Sequence, residues 1–115
     1  MTLSEIERVV GLAEQACFTA LERPADGGAR ETLFITLMPI VDPAFLDHGE
    51  GRSAAIQGPV EQAHVLAEIV RVRIDVARRG KAGDSSAAMS IQHGALDLHH
   101  VLRDLYAHLT TGGSA

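Results

Sequence analysis

Five residues near the C-terminus have the types and spacing that could do chemistry. His93, Asp97, His100, Asp104 and His108 follow one another at steps of four, three, four and four. On an α-helix, at 100° per residue, they share an arc of about 80°. Imidazole and carboxylate therefore alternate along one ridge. Those are the ligands that divalent iron, manganese, zinc or nickel accept. They are also the groups of a general acid–base pair, with His100–Asp104 the candidate base if an apolar pocket lies beside it.

A second set stands some thirty residues earlier. Glu61 and His64 are spaced E-x-x-H, with Glu68 one turn on, and Asp97 and His100 give D-x-x-H. Di-metal carboxylate bundles place E-x-x-H on two helices and single glutamates on two others. Glu61, His64, Asp97 and His100 are thus the candidate metal ligands, His93 a further one, and Glu14 and Glu31 the candidate single glutamates. The likeness is one of spacing alone. The two pairs fall on consecutive helices and on polar faces, whereas such ligands project inward. The plainer readings are a solvated face, in which each His–Asp pair four apart adds about 0.2–0.5 kcal/mol, and a polar seam between helices or subunits, in which the imidazoles sense pH.

Other reactive groups are less suggestive. Cys17 lies on an apolar helix face, where a thiol acts as a small hydrophobe, and no base is placed beside it. Arg71, Arg73, Arg78, Arg79 and Lys81 gather where a helix ends. There they suit its dipole or bind an anionic ligand or an acidic partner. The chain lacks G-x-x-x-x-G-K-[ST], G-x-S-x-G, paired C-x-x-C and H-E-x-x-H patterns. No cofactor is expected, and whether the chain is an enzyme stays open.

Four main helices must position these residues. Thr2 and Glu5 form a capping box, with Met1 and Ile6 as a staple. Leu3, Ile6, Val10, Ala13, Cys17, Ala20 and Leu21 then line one face of a first helix ending before Pro24. Asp26-Gly27-Gly28 reads as a turn. Residues 30–41 suit helix or strand. A lone strand would leave its backbone unpaired, so a helix ended or kinked by Pro39 is the expectation. A short helix follows, capped by Asp42, with Pro43 first and Gly49 just past its end. Residues 47–59 then read as a glycine-rich loop able to act as a lid, with one turn of helix at 53–57.

Pro59 opens the third main helix, which stops at Gly80. It carries two apolar stripes: Ala63, Leu66, Val70, Ile74 and Ala77, and beside them Val65, Ile69, Val72 and Val76. The fourth helix starts at a cap among Asp84, Ser85 and Ser86. It runs to Thr110 on Ile91, Ala95, Leu98, Leu102, Leu105 and Leu109, opposite the His–Asp ridge. Phe18, Phe34, Phe45 and Tyr106 are the only aromatic bulk for the core.

The expected fold is all-α, a small four-helix bundle with one extra short helix. A single domain spans residues 1–110, with a flexible tail at 111–115. The double stripe on the third helix is wider than one contact needs, which predicts a homodimer across a two-fold axis.

Composition sets the outer limits. The chain has 115 residues, 46% of them hydrophobic, and one cysteine. That apolar content excludes intrinsic disorder, and one cysteine excludes a disulfide scaffold. A net charge of −5 argues against nucleic acid as partner. The longest apolar-rich run, residues 33–41, is about half a membrane span. The acidic start does not read as a signal peptide, so a cytoplasmic setting without membrane contact is expected. Nine arginines against one lysine, with many alanines and glycines, suggest a GC-rich, bacterial coding sequence. The functional expectation is a non-catalytic bundle that binds a protein partner or a small apolar ligand. The alternative is a metal-binding bundle or small accessory enzyme using the His/Asp/Glu cluster.

Overall fold

A computed structural model describes residues 2–80 and 85–111. The chain is all-α: α1 (Leu3–Glu22), α2 (Gly27–Thr36), α3 (Met38–Val41), α4 (Pro43–Gly49), α5 (Ala54–Arg79) and α6 (Ser85–Thr110). No strand occurs among the described residues. The third and fourth main helices of the sequence analysis are α5 and α6. The staple with Met1, the α6 cap, Lys81 and residues 112–115 involve side chains outside the described set.

Local signals explain most boundaries. Thr2 and Glu5 form the capping box in both directions, each accepting from the other's backbone N–H. Asp42 caps α4 by accepting from the Ala44 N–H at 2.9 Å, with Pro43 at the first position. Residues 30–41 are helical, interrupted where Pro39 lacks the N–H that would bond the Ile35 carbonyl.

Four expectations need correction. Asp26-Gly27-Gly28 is a helix start rather than a turn: Asp26 Oδ1 accepts from the N–H groups of Gly28 and Ala29 at 2.8 and 3.3 Å. Pro59 lies inside α5, which begins at Ala54. The hydrogen bond that Pro59 cannot donate falls on the Ala55 carbonyl, so the helix passes over it near its start. The loop expected over 47–59 therefore shrinks to Glu50–Ser53, too short for a lid, with Gly51 at φ 75°. Gly49 belongs to α4 itself and is buried. A Cβ there would come within 2.9 Å of Val60 Cγ1, so its missing side chain lets α4 close on α5.

α5 and α6 form an antiparallel hairpin. Arg73 Nη1 donates to the Ser90 carbonyl at 2.9 Å, and Gly94 lies against Arg73 and Val70. α1 packs antiparallel on the other flank of α6, Gly11 beside Tyr106 and Phe18 beside His99. The short helices α2–α4 close the remaining side, between α1 and α5. The whole α6 stripe is buried, as are Ile6, Val10, Ala13, Cys17 and Ala20 of α1 and Ala63, Val70 and Ile74 of α5. The core is more aliphatic than expected. Phe45 alone of the four aromatics is buried, while Phe18 and Tyr106 are exposed and Phe34 half-buried. No described polar or charged residue is buried.

Candidate binding surface

The arginines that end α5 hold the fold together. Arg71 Nε donates to the Phe34 carbonyl at 3.1 Å, and its guanidinium lies 4.2 Å from the Phe34 ring centre. Arg78 covers the same ring at 3.9 Å while donating to both carboxylate oxygens of Glu31. The hydrogen bond that Arg78 donates to Glu31 raises the Arg78 pKa above its usual value, partly offset by desolvation and aided by the charges of Glu31 and Asp75. Arg79 pairs with Asp75 at 2.9 Å. With Arg73 on Ser90, the described members of this cluster all serve contacts within the chain.

The candidate metal ligands are divided between two faces. Glu61, Asp97 and His100 border one groove between α5 and α6. His64 turns the other way: its Nδ1–H donates to the Ile40 carbonyl at 2.9 Å, and Nε2 lies 3.7 Å from Glu68. The structure thus does not gather Glu61, His64, Asp97 and His100. Among the described residues no group of three or more His, Cys, Asp or Glu side chains could hold a metal ion. Glu14 lies 3.6 Å from His99 Nε2, and Glu31 is paired with Arg78.

Along the α6 ridge, His93, Asp97, His100 and Asp104 are exposed and His108 is half-buried, 3.8 Å from Asp104. Asp104 is not among the residues bordering the groove with His100. His99, which the ridge pattern passed over, lies where α6 packs on α1. It sits between Glu14 and Phe18 on the α1 side of α6 and meets the His100 ring edge-on at 6.0 Å. Its place beside the leucine stripe, one step from Leu98, was the available signal. Cys17 is fully buried, and burial, aided by the nearby Glu14 charge, pushes its pKa up to about 12. A thiol in that state is no nucleophile.

The unusual surface is the outer face of the α5–α6 hairpin. Among the described residues the second α5 stripe is left largely open: Val65, Ile69, Val72 and Val76 are 52, 37, 61 and 60% exposed. Beside its N-terminal end lies the groove, about 550 Å³, with Val65, Leu66 and Val101 as its apolar lining and Glu61, Gln62, Asp97 and His100 around them. A smaller hollow of about 370 Å³ lies between α1 and α2 and is edged by Gln15, Thr19, Asp26, Thr32 and Thr36. Among the described residues no helix is long and apolar enough to cross a membrane. No protein-family model, curated protein or solved structure matches this chain.

Proposed function

We propose that this protein is a non-catalytic docking bundle that works as a homodimer and binds through the outer face of its α5–α6 hairpin. In this reading α1, α5 and α6 are three rods of a small four-helix bundle, and α2–α4 together replace the fourth. The groove takes an apolar side chain of a protein partner or a small apolar ligand. A cytoplasmic setting suits a chain with one unpaired thiol.

One observation carries the reading: four β-branched aliphatic side chains stand in a row on the outside of one helix. Single exposed apolar residues are ordinary, but a contiguous patch marks an interaction site. The polar groups around the groove, Glu61, Gln62, Asp97 and His100, suit the polar rim of a docking site.

Sedimentation equilibrium from low micromolar to near-millimolar protein tests it. The expected result is a species of twice the 12.2 kDa chain mass. A strict monomer throughout, with no uptake of an apolar dye into the groove, overturns the reading.

A further inference from the structure

We infer that the α5–α6 groove is completed by the last turns of α5 from a second copy of this chain, packed antiparallel across a two-fold axis. This rests on the docking reading and names its occupant and register.

The stripe itself points to a second copy. Val65, Ile69, Val72 and Val76 follow at steps of four, three and four. That spacing is the seam of a two-helix coil, and it reads the same in either direction. Two identical α5 helices laid antiparallel therefore match without a gap. Val65 faces the partner's Val76, and Ile69 faces the partner's Val72. A two-fold interface requires this self-complementarity.

The same register brings opposite charges together. Three residues beyond Val76 stands Arg79, whose side chain is 78% exposed. In the antiparallel pair it faces Gln62 of the other copy, at the mouth of the groove. Glu61 flanks that position, and Asp97 borders it from α6. Arg79 engages Asp75 through Nη2, and its guanidinium has further donors for a second carboxylate. The partner's Val76 meets the apolar part of the groove at Val65, and the partner's Arg79 meets its acidic rim. Each end of the seam repeats the arrangement, so each chain's groove is incomplete alone and is completed once by the other copy.

Cysteine cross-linking reads the register directly. Positions 65 and 76 of one chain are about 16 Å apart along the helix, too far for an internal disulfide. The buried Cys17 thiol stays out of the reaction. Under a mild oxidant, Val65→Cys mixed with Val76→Cys is expected to give a covalent dimer, and either variant alone a far weaker band. A charge swap reads the rim: Arg79→Glu is expected to weaken the dimer about fivefold, and adding Glu61→Arg to restore it to within about threefold.

If the chain is dimeric by sedimentation but cross-links best through Val65→Cys alone, or ignores the charge swap, the register is wrong while the docking reading stands. If the unmodified chain is monomeric, takes up no apolar dye and no pairing of variants cross-links, both fall.

Discussion

Val72→Asp is the perturbation that most cleanly separates assembly from folding. Val72 is 61% exposed in the single chain, so its side chain adds little to the monomer's core. Aspartate and valine have similar helix propensities, and the change is expected to alter monomer stability by no more than about 0.5 kcal/mol. The proposed dimer responds differently. Full burial of a valine contributes about 1.5 kcal/mol, and three-fifths of that, the part still exposed, is about 1 kcal/mol. The two-fold axis counts it twice, giving about 2 kcal/mol, or roughly 30-fold in Kd. In the proposed register the carboxylate would face Ile69 of the other copy and add the cost of burying a charge, so 30-fold is a lower bound. Sedimentation equilibrium measures the Kd, and urea denaturation at a concentration where the chain is monomeric measures the fold. A Kd within threefold of the unmodified protein refutes the argument. So does a monomer stability loss above about 1.5 kcal/mol, since Val72 would then be sheltered inside one chain.

Three further outcomes follow from the same coordinates. The Cys17 pKa is pushed from 9.0 to about 12, so the folded chain keeps a proton that the unfolded chain releases. That stabilisation is full below pH 9 and is lost as pH rises toward 12, at up to about 1.4 kcal/mol per unit. Denaturation curves at pH 8–11 are expected to fall more steeply for the unmodified protein than for Cys17→Ala, and equal slopes refute the assignment. Phe34→Leu keeps apolar bulk but removes the ring between Arg71 and Arg78. At about 0.5–1 kcal/mol per exposed cation–π contact, a loss of about 1–2 kcal/mol is expected in urea, and no loss means the stacking is incidental. Gly49→Ala sets a methyl 2.9 Å from Val60 Cγ1. A loss of about 1–3 kcal/mol is expected; if the clash is the cause, Gly49→Ala adds little further loss in a Val60→Ala background, and fully additive losses in the double variant refute it.

The reach of sequence reasoning shows in particular residues. The α6 stripe from Ile91 to Leu109 could be read directly, because a helix with one buried face repeats its apolar residues every three or four positions, and all six are buried. The Thr2–Glu5 box and the Asp42–Pro43 start were equally plain, since capping is settled within one turn. Pro59 misled because a proline at a helix start and one slightly inside it look alike in sequence. The apolar Ile56, buried before the proline, holds the extra turn in place. The His–Asp ridge could be read as a ridge but not as a site. Helical spacing says which residues share a face, not what that face meets.

The sequence by itself therefore determined the main helices, the Thr2 and Asp42 caps and the aliphatic stripes of α1, α5 and α6, because each depends on contacts within a turn or on a period along one element. Only the tertiary structure decided which stripe is sheltered, that His64 turns to the Ile40 carbonyl while Glu61, Asp97 and His100 border a groove, and that the α5 arginines are held by Phe34, Glu31, Asp75 and Ser90. Those outcomes depend on which neighbour each helix face meets, and a helix records its own periodicity but not the rotation at which another helix packs against it.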